Sequence, residues 1–307
     1  MLDWKIPTKE LVPDMQRIVA HTGAIASDAC VSNIFLLRNK YDIRVAIKDG
    51  FLFRWYSGSE MPGRNGVAFP LGKGDVKSAI NCLIKDRNKR GLPAEMILLN
   101  KDQKEYCTKN GIEASAETHE SNWDYIYKSE HLARLEGKEN SKKRNRVSRF
   151  TRKYPDWRIE FTDKGNNSEI LNDMLRVEDE WLAEQEERAG SVLTERDEIH
   201  EAVSLWDELP LSGGVIYVED KPVAMTIASE ISKGTFDILF EKSYGEYAQA
   251  GGFAAINKYF ADHLHRVHGA QWINREEDIG MPGLRRAKMA YHPDIRLEKY
   301  QVTLGSC

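Results

Sequence analysis

The run "WINREEDIG", Trp272 to Gly280, gathers the groups most able to move a proton. If it is extended, alternation puts Trp272, Asn274 and Glu276 on one face and Ile273, Arg275 and Glu277 on the other. Glu276, Glu277 and Asp278 follow one another, with Arg275, Arg285, Arg286 and Lys288 close in sequence; Arg275, Arg285 and Lys288 are also candidates to bind the donor or its phosphates. Like charges raise a carboxyl's pKa and cations lower it again, so a carboxylate here can be poised as a general base. Glu276 is the first candidate, Asp278 the second, and Asn274 shares the face of Glu276. A salt-bridge network that locks strand to helix explains the same residues without chemistry.

A second group is "ENSKKRNRVSRF". Read as a helix from about Ser141, it stops before Pro155, which lacks an N–H and disfavours helical geometry in the residue before it. Val147, Phe150 and Tyr154 make one stripe, and Lys142, Arg146, Arg149 and Lys153 make another. Lys143 falls on the apolar side, where an unpaired ammonium is costly, so it is expected to turn into a cleft or toward a carboxylate. With Arg144, these cations suit a polyanion whose binding is salt dependent. A solvated face, partly neutralised by Glu136 and Glu139, is the plain alternative.

The third group is "YAQAGGFAAIN". Gln249, Gly251, Gly252 and Ala254 read as a glycine loop feeding a helix, where backbone N–H groups and the positive helix end can hold a phosphate. A glycine-rich turn needs no ligand. In "DHLHRVH" only His265 and His268 are close in helical angle, against Asp262 and His263, and no partner ligands stand out elsewhere, so no metal is expected. No Ser-His-Asp or Cys-His arrangement is legible, which favours direct transfer over a covalent enzyme intermediate.

The elements around these groups repeat. From Ser168, taken as an N-cap, two helices lead into three strands: the first two form a hairpin about Glu219–Lys221, and the third is "TFDILFE". Thr194 and Asp197 suggest a capping box on the second helix. A helix, the strand "QWINRE", the helix "PGLRRAKMAY" and a last strand in "IRLEKYQVTL" complete the half. The first half is a fainter copy of the order, without repeated residues. The expectation is an α+β protein of two lobes, residues 1–136 and 156–307, joined by the basic helix 137–155, each lobe a mixed, mostly antiparallel sheet flanked by helices.

Two blocks, "DYIYKSEHLARLEGKENSKKRNRVSRFTRKYPDW" and "INREEDIGMPGLRRAKMAYHPDI", resemble the C-terminal domain family of bacterial phosphatidylglycerol lysyltransferases. The element order resembles tandem GNAT acyltransferase lobes, and the family is related to Fem-type aminoacyltransferases. The resemblance implies a transferase that moves an aminoacyl group from tRNA onto an amine or hydroxyl, the acceptor in that family being a lipid headgroup. Its best-known members carry an N-terminal membrane domain that these 307 residues do not show, which leaves a small-molecule acceptor open. Gln249, Gly252 and Ala254 match the GNAT loop for the CoA pyrophosphate, so an acyl-CoA donor is the alternative. A non-catalytic protein that binds RNA or another polyanion is a third reading. No cofactor is firmly implied beyond these donors.

Bulk properties agree with a globular chain. Hydrophobic residues make up 41% and charged residues 30%, and the formal net charge is −4, so general nucleic-acid coating is not expected. No apolar run nears the ~20 residues of a membrane span, and the N-terminus has no signal-peptide pattern. Four scattered cysteines (Cys30, Cys82, Cys107, Cys307) fit a reducing, cytosolic setting. Oligomeric state is not legible.

Overall fold

A computed structural model describes residues 1–304 apart from 94, 166 and 186–189. The strands are β1 (Arg44–Lys48), β2 (Phe51–Tyr56), β3 (Gly66–Ala68), β4 (Leu71–Gly72), β5 (Glu95–Leu99), β6 (Glu113–Thr118) and β7 (Asp124–Lys128). Then come β8 (Arg158–Thr162), β9 (Leu211–Val218), β10 (Lys221–Ser232), β11 (Thr235–Ser243), β12 (Trp272–Asn274), β13 (Ile295–Leu297) and β14 (Tyr300–Leu304). They form two seven-stranded sheets, ordered β1-β2-β3-β5-β14-β6 with β4 on β2, and β13-β7-β12-β11-β10-β9-β8. All pairings are antiparallel except β3–β5 and β11–β12. The α+β class and the two mixed, mostly antiparallel sheets are therefore as the sequence implies.

The sheets do not follow chain order at their junction. β7 precedes the basic helix yet pairs with β12 and β13 in the second sheet. β14 closes the chain yet sits between β5 and β6 in the first. The expected last strand is thus two strands in two sheets. The exchange ties the halves together more tightly than boundaries at 136 and 156 suggest. Cores follow the same logic: Val12, Met15, Ile34 and Phe35 of the N-terminal helices share a cluster with Ile170, Met174, Met225 and Ile227.

Smaller expectations shift too. The helix Ser168–Ala183 is preceded by Asn167 as N-cap, and Ser168 is its first residue. The next helix is Gly190–Ser204, five residues longer at its start than the Thr194 cap implies; the Thr194 side chain lies outside the described residues. The "AQAGG" run is not a loop. It ends a short helix, Gly245–Ala250, and Gly251 alone breaks it from the helix Gly252–Val267.

Candidate active site

β12 stops at Asn274, and Glu276 has φ 57° and Ile279 φ 46°, a left-handed region that side chains seldom occupy. Simple alternation therefore ends before Glu276. What fixes this backbone is Asn274, fully buried: its Oδ1 accepts the Glu276 N–H at 2.7 Å. Its Nδ2 donates to Asp124 Oδ2 and to the Ile25 carbonyl, both at 2.9 Å. Asn274 is thus a positioning residue, its polar atoms consumed inside the protein.

Glu276 is half-buried and faces a cavity of about 260 Å³, lined by Asn33, Tyr41, Arg64, Leu239, Lys288 and Lys299 among others, residues of both sheets' surroundings. Its Oε1 accepts from Asn33 Nδ2 at 2.7 Å, and the same amide donates to Asp237 Oδ2 at 2.8 Å. The β11–β12 register, Asp237 opposite Asn274, puts the two carboxyls in reach of one amide. Burial first, then Glu277, pushes the Glu276 carboxyl up to about 7, against the opposing pull of Lys288 and Asn33. Burial and the neighbouring Glu276 raise Asp237 well above the ordinary carboxylate range.

The other acids are spoken for. Burial would raise Glu277, but its ion pair with Arg64, with Lys299 and Lys288 nearby, brings it down to about 2. Asp278, fully buried, accepts from Tyr125 Oη at 2.6 Å, Arg285 Nε at 2.7 Å and the Gly280 N–H at 2.8 Å. These donors outweigh its burial and keep its carboxyl below the usual range. A carboxylate so fully bonded makes a poor base; Asp278 anchors the turn to the helix Pro282–Met289. Arg285 is used there and on Glu120, at 2.8 Å. Arg275 turns away to Glu241 at 3.0 Å and lies over the Tyr291 ring. Of the cations expected near Glu276, Arg275 and Arg285 are thus engaged elsewhere, and Lys288, which donates to the Glu277 carbonyl, is the one that offsets it.

Below the cavity lies a network with no sequence signal of its own. Lys299 Nζ, buried, meets Asp124 Oδ1 at 2.7 Å, Ser27 Oγ at 3.0 Å and Asp28 Oδ1 at 3.2 Å. Arg54 meets Asp28 Oδ2 at 2.8 Å. Burial disfavours the Lys299 charge, but Asp124 and Asp28 more than restore it. Asn33, Asp124, Asp237, Asp28, Arg54, Arg64 and Lys299 are the residues that sequence reading missed. Only Asp237 carried a hint, an acid inside the apolar strand "TFDILFE".

The basic helix is Ser141–Lys153, with Lys143, Val147 and Phe150 buried. Its cations divide. Lys142, Lys143 and Arg146, with Lys138, Arg286 and His292, line a groove. Arg149 instead donates to the Ala250 carbonyl at 2.9 Å and to that of Gln249, closing the end of the short helix. Arg144 donates to the Leu135 and Gly137 carbonyls, at 2.5 and 2.6 Å. Lys153 pairs with Glu246 at 2.5 Å. Among the described residues Lys143 makes no ion pair with a carboxylate; its Nζ stands 3.6 Å from the centre of the Tyr291 ring. Burial, then Arg275 and Arg146, bring it down to about 8.

The glycine pair is explained by packing. Gly251 has φ 124°, and a Cβ there would lie 2.4 Å from the Arg146 carbonyl oxygen. A Cβ on Gly252 would meet Ser243 Oγ at 2.3 Å. The basic helix rests directly on this break, and Gln249 is exposed. The histidine run also differs from the helical-wheel reading: His263 and His268, not His265 and His268, converge, and they do so with Asp163.

The family described as "Phosphatidylglycerol lysyltransferase, C-terminal" matches residues 20–303. A conserved protein of unknown function from Bacteroides thetaiotaomicron is similar over 99% of this chain and 100% of its own, with 29% identity and a TM-score of 0.87. The C-terminal domain of a putative lysylphosphatidylglycerol synthetase from Agrobacterium fabrum shares the fold, at 15% identity and TM-score 0.68, over 97% and 93% of the two chains. So does L-PGS from Bacillus licheniformis, at 16% identity and TM-score 0.68, over 99% and 94%. No curated protein matches. No helix among the described residues is long and apolar enough to cross a membrane. The family match over nearly the whole length shows that this chain belongs to the phosphatidylglycerol lysyltransferase C-terminal family.

Proposed function

We propose that this transferase moves an aminoacyl group, with aminoacyl-tRNA as donor, onto an amine or hydroxyl acceptor, and that Glu276 is its general base. The observation that carries the reading is Glu276 itself. It is a carboxyl at about 7 on the wall of a cleft, held by Asn33 and by a backbone that Asn274 sets. A base near the working pH is most effective, because it is both free to accept a proton and able to return it. Glu276 takes the proton of the acceptor N–H or O–H as that atom attacks the ester carbonyl. The C–O bond to the donor then breaks, and the proton passes to the departing ribose hydroxyl. Lys288 supplies positive charge to the oxyanion formed between these steps.

Both signs of charge line the cavity: Asp28, Glu195, Glu198, Glu241, Glu276 and Glu277 with Lys40, Arg64, Lys288 and Lys299. Glu241 and Glu195 are paired from outside it, with Arg275 and Lys242. The groove of Lys138, Lys142, Arg146 and Arg286 suits the phosphates of the tRNA end. Seating of the basic helix on Gly251 argues against the acyl-CoA alternative, since the main chain of Arg146 occupies the approach to that glycine. The test is transfer of radiolabelled amino acid from a charged tRNA pool to phosphatidylglycerol vesicles and to small amines, beside acetyl-CoA with the same acceptors. Labelled product from the tRNA arm supports the proposal. Product only from acetyl-CoA replaces it with the acyl-CoA reading.

A further inference from the structure

We infer that Asp163, His263 and His268 form a binding site for a borderline divalent transition metal, of which Zn²⁺ is the natural occupant. Two elements supply them. Asp163 follows the edge strand β8, His263 lies on the helix Gly252–Val267, and His268 caps that helix at its C-terminus. On a continuous helix His263 and His268 would be roughly 140° apart. Because the helix ends at Val267, the His268 ring is free to turn back toward His263.

One ligand atom from each residue lies within 4.8 Å of the other two. His268 Nε2 is 3.0 Å from Asp163 Oδ1, and His263 Nε2 is 3.8 Å from Asp163 Oδ2. Bonds of about 2.0–2.2 Å in tetrahedral geometry put neighbouring ligand atoms about 3.4 Å apart. These two distances, to different oxygens of the carboxylate, fall on either side of that value, and all three ligand atoms lie within 4.8 Å, so turns of the side chains would close the site. An ion pair of Asp163 with the protonated histidines is the plain alternative. Asp163 Oδ1, His263 Nε2 and His268 Nε2 are all buried atoms, and none has a hydrogen-bond partner among the described residues.

The rings are held ready. His263 stacks on Phe161 at 4.0 Å and 9°, and His268 meets Phe236 edge-on at 5.5 Å. The Asp163 carbonyl accepts from Trp206 Nε1 at 2.8 Å, which fixes the acid's backbone. Two imidazoles and one carboxylate are the donor set that zinc, cobalt and nickel prefer over magnesium or calcium. The Asp163 side chain as a whole is 39% exposed, although the three ligand atoms themselves are buried. A metal there would clamp β8 to the helix Gly252–Val267, away from the Glu276 cleft.

The experiment uses the full chain stripped by chelation and titrated with Zn²⁺ alone by calorimetry, with Co²⁺ absorption as a readout of ligand geometry. The expected result is one equivalent bound, a Co²⁺ visible spectrum of tetrahedral intensity, and a higher melting temperature with Zn²⁺. Asp163→Asn and His268→Gln keep side-chain volume and should each weaken binding by roughly 10–100-fold or more, whereas His21→Ala, at an exposed histidine, should bind as the parent does. His263→Ala removes a ring stacked on Phe161, so it is interpreted only if its circular dichroism matches the parent. No binding by the parent overturns the inference. So does parent-like binding by folded Asp163→Asn and His268→Gln.

Discussion

Lys299→Met keeps most of the side chain's packing and removes only its charge. In the structure that charge is buried and lies 2.7 Å from Asp124 and 3.2 Å from Asp28. Asp28 keeps Arg54, but Asp124 is left with only neutral donors: the Ser27 N–H and hydroxyl and Asn274 Nδ2. Removing one partner of a buried ion pair costs about 3–5 kcal/mol, because the remaining charge stays out of water. Unfolding entropy near 2.1 cal/mol/K per residue makes that a fall in Tm of about 5–8 °C for a chain of this length. The network joins Ser27 and Asp28, Asp124 of the second sheet and Lys299 before β14, so the loss should appear as one cooperative transition. Urea unfolding of Lys299→Met, Asp124→Asn and the double variant would measure it, with the two losses less than additive by about 0.5–3 kcal/mol. Lys299→Met within ~0.5 kcal/mol of the parent, the range of an ordinary surface change, would refute the view that this lysine is the keystone between the sheets.

Other expectations follow from the same geometry. Gly251→Ala places a Cβ against the Arg146 carbonyl at positive φ and should cost about 2–4 kcal/mol in urea unfolding; a neutral result would mean that the basic helix does not rest there. Lys142→Glu with Arg146→Glu should weaken tRNA binding and lower the slope of log K against log salt by roughly 1.4–1.8, while Arg149→Glu should also destabilise the fold, because Arg149 holds backbone carbonyls. An unchanged slope returns the groove to an ordinary solvated surface. Glu178, Glu198 and Glu276 are each raised to about 7 from 4.5, chiefly by burial. The folded state therefore binds more protons than the unfolded between those values, and Tm should fall as pH rises from about 5 to 8. A Tm that climbs over that range contradicts the buried, proton-holding carboxyls.

Local physics made much of this legible in the sequence. The basic helix, its apolar stripe of Val147, Phe150 and Tyr154, and the order of strands around Asp237 follow from periodicity and from Pro155. Glu276 was reachable because three consecutive acids beside a strand end are unusual. The rest depends on partners far along the chain. Asn33 and Glu276 are 243 residues apart, and Lys299 and Ser27 are 272 apart. No pattern within a window of ten residues can pair them. β14 crossed to the first sheet for the same reason: its alternation fits either sheet. Arg144, Arg149 and Arg285 looked like ligand-binding cations because a sequence shows their charge but not the carbonyls and carboxylates that consume it. The glycines at 251 and 252 satisfied a phosphate motif, yet the nearby Arg146 backbone and Ser243 already require them to lack side chains.

The proposed chemistry turns on Glu276, and the pH dependence of single-turnover aminoacyl transfer tests that role most directly. The parent rate should rise through an inflection near pH 7, as the raised carboxyl becomes able to accept a proton. Glu276→Gln should keep donor affinity and fold, lose that inflection, and transfer about 10²–10⁴-fold more slowly. A Glu276→Gln protein that transfers at the parent rate, with the same inflection near pH 7, would contradict the assignment of Glu276 as the base.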